Sequence, residues 1–236
     1  MLDRLVKEPF LGFTEESINF LSKLKNKKYN NKKWFDIHRD EYETYLKLPM
    51  RSLIDALSPE INKIDENIVI NYKSIFRINR DIRFSKDKTP YKTQVSASFC
   101  FDIIKKPEIP QFYFHINPDE LLIAGGQYST DMEKIKKIRN SINENYGEFK
   151  KIIADKKFIK EYKTIEGEKL SKLPKGYENI IYKKEAALPE LLKMKQYYVF
   201  ITLDVKSALD NTLINTLIYH FKLMYNFMKF LNDATK

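Results

Sequence analysis

The stretch from Arg77 to Lys92 concentrates side chains that could bind an anion. It holds six cations and two carboxylates, and three of the seven arginines in the chain lie between Arg77 and Arg83. A guanidinium is a planar fork that binds a carboxylate or a phosphate through two hydrogen bonds. The clustering therefore predicts either recognition of an anion or a structural network of arginines and carboxylates.

The leading interpretation is that this stretch binds, or acts on, a phosphorylated or other anionic ligand. The candidate ligand-binding residues are its charged side chains and one tyrosine: Arg77, Arg80, Asp81, Arg83, Lys86, Asp87, Lys88, Tyr91 and Lys92. The polar loop from Ser85 to Thr89 would add backbone N–H donors. Neither a Walker glycine pattern nor a Rossmann fingerprint occurs, so no nucleotide fold and no cofactor is predicted.

Two alternatives remain open for the same residues. In the first, the protein is a non-enzymatic scaffold or interaction protein, and the charged residues form a salt-bridge network that locks the sheet to the helices. In the second, the protein binds nucleic acid. The formal charge of +10 favours nucleic acid, as do the aromatic side chains Tyr91 and Tyr113 if they are exposed.

The sequence leaves open whether the protein is an enzyme. Asp81 and Asp87 lie among cations, which favours their ionised forms and suits counter-ions or metal ligands better than proton donors. His115 lies in a predicted strand, where a solvent-facing or hydrogen-bonded histidine is more common than a catalytic one. Asp36 and Asp40 would share a helix face that His38 does not, so no metal site is predicted.

The elements that position the stretch are predicted from hydrophobic periodicity. Apolar Phe76, Ile78, Ile82 and Phe84 alternate with polar residues, which is typical of a strand with one buried face. Arg80 falls on the apolar side, where it would need a carboxylate or several carbonyl partners. Strands are expected over residues 68–72, 75–84, 93–101, 110–116, 120–124 and 196–205.

Helical spacing surrounds these strands. Helices are predicted over residues 14–28, 31–48, from Pro49 onward, over 130–162 as two helices separated near Gly147, and over 207–231. The apolar spacing of the helix that starts at Pro49 predicts its buried side: Met50, Leu53, Ile54, Leu57 and Ile61. Residues 164–188 read as a short strand and a long surface loop. The predicted fold is a single α+β domain over residues 1–236, in which an antiparallel sheet packs against N-terminal, middle and C-terminal helices.

Composition limits the location and the partners. The single cysteine, Cys100, excludes an internal disulfide and indicates a reducing compartment. The charged first residues favour a cytoplasmic protein without an export signal. The apolar C-terminal helix contains lysines that a membrane span would not tolerate, so we expect it to be buried or to form a homodimer.

The longest motif supports a family resemblance. The residues from Arg80 to Lys92 read RDIRFSKDKTPYK, and they follow FLGF at Phe10 and NNKKWF at Asn30. Together these segments resemble a widespread, mainly bacterial family known as domain of unknown function 2461, over most of the chain. The resemblance implies a cytoplasmic single-domain α+β protein whose motif coincides with the charged stretch, and it specifies no reaction.

Overall fold

The computed structural model describes residues 9–102, 108–129, 131–177 and 186–236. The main helices in these ranges are α1 Glu15–Lys25, α2 Lys32–Ile37, α3 Arg39–Tyr42, α4 Leu48–Ile64, α5 Met132–Glu144, α6 Tyr146–Ile153, α7 Lys156–Tyr162, α8 Leu188–Leu192 and α9 Thr212–Ala234. The strands are β1 Val95–Phe99, β2 Gln111–Ile116, β3 Glu120–Gln127 and β4 Tyr197–Asp204. The strands form an antiparallel sheet in the order β1-β2-β3-β4, so the predicted α+β class is confirmed.

The chain divides into two compact units. The first comprises the chain up to Phe99, with Tyr113–Ile123 and Thr202–His220. The second comprises Cys100–Phe112, Ala124–Ile201 and Phe221–Lys236. The charged stretch lies entirely in the first unit, and the organisation as a single domain stays a prediction.

The first helices of the first unit follow their sequence signals. Thr14 precedes α1, its backbone N–H donates to Ser17 Oγ at 3.0 Å, and Glu15 and Glu16 occupy the first turn. Acidic residues at this end favour the helix through its dipole. The side of α4 that the apolar spacing predicts is buried: Met50, Leu53, Ile54, Leu57 and Ile61.

The single helix predicted over residues 31–48 is interrupted. His38 has φ −104° and ψ 22°, which ends α2 before α3 begins. A π-helical turn, Glu43–Lys47, then joins α3 to α4. Pro49 lies in the first turn of α4, where its missing N–H removes no helical hydrogen bond.

The strands predicted over residues 68–72 and 75–84 are wrong. Residues Tyr72–Ser74 form a 3₁₀ turn, and the segment beyond them makes only isolated antiparallel bridges, between Ile75 and Ala97 and between Asn79 and Tyr91. Phe84, predicted on a buried face, is 95% exposed. The alternation fails because side chains, rather than a neighbouring strand, satisfy much of the backbone that follows Asn79.

In the second unit, β3 extends beyond its predicted end because two glycines allow close approach. Gly126 has φ +146°, and a Cβ atom there would lie 2.2 Å from the carbonyl oxygen of Tyr197 in β4. At Gly125 a Cβ atom would lie 2.3 Å from Met224 Sδ in α9. The Gly-Gly pair therefore serves packing inside the strand rather than a turn.

The middle helices number three rather than two within the described residues. Asn145 separates α5 from α6 and Asp155 caps α7, whereas Gly147 lies inside α6. Part of the loop predicted over 164–188 forms isolated bridges at Glu166 and Lys169, and residues 178–185 lie outside the described ranges. The short α8 was not predicted.

The last helix, α9, begins five residues later than predicted, after a 3₁₀ turn at Val205–Ala208. Its apolar side chains include a set that is fully buried: Leu213, Leu217, Phe221, Met224, Phe227, Met228 and Leu231. No helix in the described part of the chain is long and apolar enough to cross a membrane. Homodimer formation through this helix stays a prediction.

Candidate functional site

Residues 78–92 form a closed loop, called here the motif loop. The backbone N–H of Arg80 donates to the carbonyl of Pro90 at 2.8 Å, and the N–H of Lys92 donates to the carbonyl of Ile78 at 2.8 Å. These two antiparallel hydrogen bonds bring the ends of the loop together. The charged residues between them are therefore held in a compact structure rather than along an extended strand.

Arg80 closes the loop from inside. Its Nη1 atom donates to Asp87 Oδ2 at 2.6 Å, to the Thr89 carbonyl at 3.0 Å and to the Thr89 hydroxyl, and Nη2 lies 3.4 Å from Ser85 Oγ. The arginine side chain is 26% exposed. The carboxylate and carbonyl partners that its position required are present, so this guanidinium is committed to the fold of the loop.

Asp87 is the acceptor at the centre of this arrangement. Hydrogen bonds from the Thr89 backbone N–H, from Arg80 and from the Thr89 hydroxyl lower the pKa of the Asp87 carboxyl to about 2. All three donors stabilise the ionised form. In this structure Asp87 serves as a counter-ion, one of the two roles, with metal ligand, that the sequence left open.

A second pair lies at the surface of the loop. Arg83 donates to Asp81 through Nε at 3.0 Å and through Nη2 at 2.6 Å, and its backbone N–H also faces the same carboxylate at 3.2 Å. The Arg83 side chain is 76% exposed and lies 5.8 Å from the Phe84 ring. Since surface ion pairs stabilise proteins little, this pair shapes the loop more than it stabilises the fold.

The remaining motif lysines and Arg77 differ in their environments. Lys88 Nζ donates to the carbonyl of Ile82 at 2.9 Å and is therefore used inside the loop. Arg77 and Lys86 are exposed, and neither forms an ion pair with a described carboxylate. Only some of the predicted cations are therefore available to a ligand.

Tyr91 is part of the core and is anchored by Asn30. The Asn30 side chain accepts from the Tyr91 backbone N–H at 3.0 Å and donates to the Tyr91 carbonyl at 3.0 Å. The Tyr91 ring stacks on Phe35 with centroids 4.0 Å apart. Tyr91 is 5% exposed, so the expectation that its ring is exposed for nucleic acid is wrong. Burial, followed by the charge of Asp36, raises the pKa of its hydroxyl.

An open cleft of about 530 Å³ lies beside the motif loop. The end of α1, the residues that follow it and the base of the loop line this cleft: Leu24, Lys25, Lys27, Asn30, Arg80, Asp81, Asp87, Thr89, Tyr91, Lys92, Thr93 and Gln94. Five of the predicted ligand-binding residues belong to this set. The other four do not line the cleft: Arg77, Arg83, Lys86 and Lys88.

Two of the four cations in the cleft wall have no carboxylate partner. Lys25 Nζ lies 2.6 Å from Asp119, and Arg80 is bound to Asp87. Lys27 and Lys92 form no ion pair with any carboxylate in the described ranges. Burial, followed by the neighbouring charge of Arg77, lowers the pKa of Lys92.

A comparison with protein families finds a match over most of the chain. Residues 16–230 match the family model described as "Conserved hypothetical protein (DUF2461)". The chain belongs to the DUF2461 family. This confirms the predicted resemblance over nearly the whole chain. A comparison with curated proteins finds no match.

Other candidate groups in this DUF2461 chain do not form a metal site. Asp36 is paired with Arg39 at 2.7 Å, whereas His38 stacks on Trp34 with ring centroids 4.0 Å apart. No group of three histidine, cysteine or acidic side chains among the described residues could hold a metal ion. Cys100 is buried, and its thiol lies 3.4 Å from the Asp102 carbonyl.

Sequence reasoning missed the contribution of the N-terminal helices to the site. Lys25 is the last residue of α1, and Lys27 and Asn30 lie shortly after it. No local pattern links them to residues fifty or more positions away. The family segment beginning at Asn30 was the available signal. That segment places the buried side-chain amide of Asn30 beside the motif loop. Hydrophobic periodicity, which predicts helices, could not show this contact.

Proposed function

We propose that this DUF2461 protein binds a phosphorylated or otherwise anionic ligand in the cleft beside the motif loop. The observation that supports the proposal is the pair of cations, Lys27 and Lys92, that line one cleft without a described carboxylate partner. An ammonium group that is half-buried and close to another cation gains free energy when an anion approaches it. Lys92 meets both conditions, since burial and Arg77 both act on it.

The size of the cleft favours a small molecule. Ligand pockets for small molecules generally occupy about 300–1,000 Å³, and this cleft has about 530 Å³. Thr89, Thr93 and Gln94 add neutral polar side chains to its wall. We therefore place the ligand in the cleft rather than on the exposed outer surface of the loop, where the Arg83–Asp81 pair lies.

The predicted motif residues have different roles in this binding. Lys92 contacts the anion, and Lys27 joins it from the end of α1. Arg80, Asp87 and Lys88 hold the motif loop in the shape that places Lys92 in the cleft wall.

Thermal unfolding with a ligand panel tests this function. The panel contains nucleotides, sugar phosphates, polyphosphate and short nucleic acids, and specific binding to the folded state raises Tm by mass action. Lys92→Gln should abolish the increase for the ligand class that binds. Lys86→Gln is the matched control, because it removes one motif charge outside the cleft and should leave the increase unchanged. Equal loss in both variants would contradict the proposal.

A structural role is the second candidate, and the Arg80 network favours it. Arg80, Asp87 and Thr89 satisfy one another without any ligand. If the motif serves only the fold, no member of the panel will raise Tm, and replacement of Arg80 will lower stability. Nucleic-acid binding has lost the support of Tyr91, and the short nucleic acids in the panel test it directly.

We also infer that the protein works in the cytoplasm. Its single cysteine, Cys100, is buried and has no second cysteine in the sequence with which to form a disulfide, which suits a reducing compartment. Fractionation of the source cells with an antibody against the protein tests this inference, and recovery outside the cytoplasm would contradict it.

A further inference from the structure

A chain of hydrogen bonds leads from the sheet to the wall of the proposed anion cleft. Gln94 Nε2 lies 3.0 Å from the Tyr113 hydroxyl, which lies 3.2 Å from His115 Nδ1. His115 Nε2 lies 3.3 Å from Glu120 Oε1. His115 is 9% exposed, and Gln94 lines the cleft. The inference that follows rests on the proposed function of that cleft.

Glu120 determines which group donates and which accepts along this series of hydrogen bonds. A carboxylate only accepts hydrogen bonds, so the Nε2 atom of His115 must carry its proton. The Asn117 amide is oriented by its own contacts, because its Oδ1 atom accepts from the backbone N–H groups of Asp119 at 2.7 Å and Glu120 at 2.9 Å. Its Nδ2 atom is thereby turned to Glu120 Oε1, at 3.3 Å. Asn117 Nδ2 also lies 3.3 Å from His115 Nε2, and with a proton on both nitrogens this contact is not a hydrogen bond.

The protonation of His115 determines the donor in its hydrogen bond with Tyr113. Burial lowers the pKa of His115, against the opposing effect of Glu120, so the imidazole is neutral at pH 7 and carries one proton. With that proton on Nε2, the Nδ1 atom is an acceptor. The only proton of the Tyr113 hydroxyl is therefore donated to His115 Nδ1. In the hydrogen bond that Tyr113 also makes with the Ser96 side chain, the phenolic oxygen is then the acceptor.

Tyr113 in turn fixes the amide of Gln94. Because the phenolic oxygen has no further proton to donate, it can only accept from Gln94 Nε2. The amide carbonyl of Gln94 then remains for other partners, and Gln94 Oε1 accepts no hydrogen bond from a described residue.

We propose that Gln94 Oε1 accepts a hydrogen bond from a hydroxyl group of the ligand, so that the ligand is a hydroxylated phosphate such as a sugar or polyol phosphate. A simple anion would fill the positions beside Lys92 and Lys27 but would place a negative charge against the carbonyl of Gln94. A ligand with both groups satisfies the lysines and the amide together. Tyr113, His115 and Glu120 are positioning residues that keep the carbonyl directed away from Tyr113.

Calorimetry with two matched probes, glycerol 3-phosphate and propyl phosphate, tests the proposal. The probes carry the same phosphate and the same three-carbon chain, and only the first has free hydroxyl groups. Wild-type protein should bind glycerol 3-phosphate about tenfold more tightly, the value of one good hydrogen bond. Gln94→Met and Tyr113→Phe should reduce this ratio to about one while leaving the affinity for propyl phosphate unchanged.

Two other outcomes separate this inference from the function on which it rests. If wild type binds both probes equally and Lys92→Gln binds neither, the hydroxyl preference is overturned and the anion site stands. If wild type binds neither probe, both proposals are overturned. Gln94→Met replaces a side chain that is only half-buried, so it retains the fold and keeps the test decisive if Tyr113→Phe is unstable.

Discussion

Arg80 and Arg83 belong to one motif but contribute differently to the stability of the fold. Arg80 is mostly shielded from solvent and binds a carboxylate, a carbonyl and a hydroxyl, whereas Arg83 binds Asp81 at the exposed surface. The number of partners and their shielding, rather than the presence of an ion pair, determine how much each side chain stabilises the fold. The two residues therefore form a natural comparison.

We predict that Arg80→Ala lowers the free energy of unfolding by about 1–2 kcal/mol, from the loss of hydrogen bonds to a charged group that is partly screened by solvent. Arg83→Ala is the control and should change the free energy much less, because its pair with Asp81 is exposed. Urea unfolding of the two variants and wild type measures both values. A larger loss in Arg83→Ala than in Arg80→Ala would contradict the assignment.

The lowered pKa of the Asp87 carboxyl predicts how the stability of the protein changes at acidic pH. Its pKa is about 2 in the folded protein, against an ordinary value of 3.8. The unfolded chain therefore binds this proton more readily, so stability falls as the pH falls from about 5 toward 2. Asp87→Asn should be less stable at neutral pH, and its stability should fall less steeply over this range. Urea midpoints measured across the range test this, and equal slopes would rule out the Asp87 contribution.

At the scale of elements, the apolar spacing predicted helices better than strands. The buried side of α4 was predicted residue by residue because helix packing depends on local spacing that the sequence shows. The prediction of a strand over 75–84 was wrong because side chains in this region bind nearby backbone or side-chain groups. The side chains of Asn71, Arg80 and Asp87 stabilise turns there in place of a hydrogen-bonded ladder with a neighbouring strand. Such competition depends on geometry that alternation does not show.

The site was predicted in part for the same reason. Sequence reasoning identified Lys92 and the Arg80 network within the motif loop, because their charges lie close together along the chain. It could not predict Lys27 or Gln94 as cleft residues, since only the folded chain brings the end of α1 beside the loop. Nor could it distinguish an arginine satisfied internally from one that faces solvent.

Two glycines give a matched prediction at this scale. Gly126→Ala in β3 should lower the free energy of unfolding by more than about 2 kcal/mol or prevent folding, because the backbone is strained for alanine and the new Cβ meets the backbone of Tyr197. Gly147→Ala in α6 meets no atom within 4 Å. It should stabilise the protein by up to about 1 kcal/mol through helix propensity. Thermal unfolding of both variants distinguishes them, and similar effects would contradict the close approach.

At the scale of the whole molecule, net charge is a poor guide to the site. The chain carries a formal charge of +10, and its cations are mainly lysines spread along the sequence. Some of them pair with nearby acids, as Lys32 does with Asp36 and Lys229 with Asp233, and others have no described carboxylate partner. What distinguishes the cleft is therefore that two such lysines, Lys27 and Lys92, line the same cavity, and not the overall charge.

Lysine labelling with inorganic pyrophosphate as the anion is the most direct test of the central claim. Reductive methylation followed by mass spectrometry reports the reaction rate of each lysine with and without pyrophosphate. We predict that pyrophosphate slows the reaction of Lys92 and Lys27, since an anion both covers an ammonium group and raises its pKa. Lys86 should react at the same rate in both conditions. If pyrophosphate protects Lys86 as much as Lys92, or protects neither, the cleft is not the anion site.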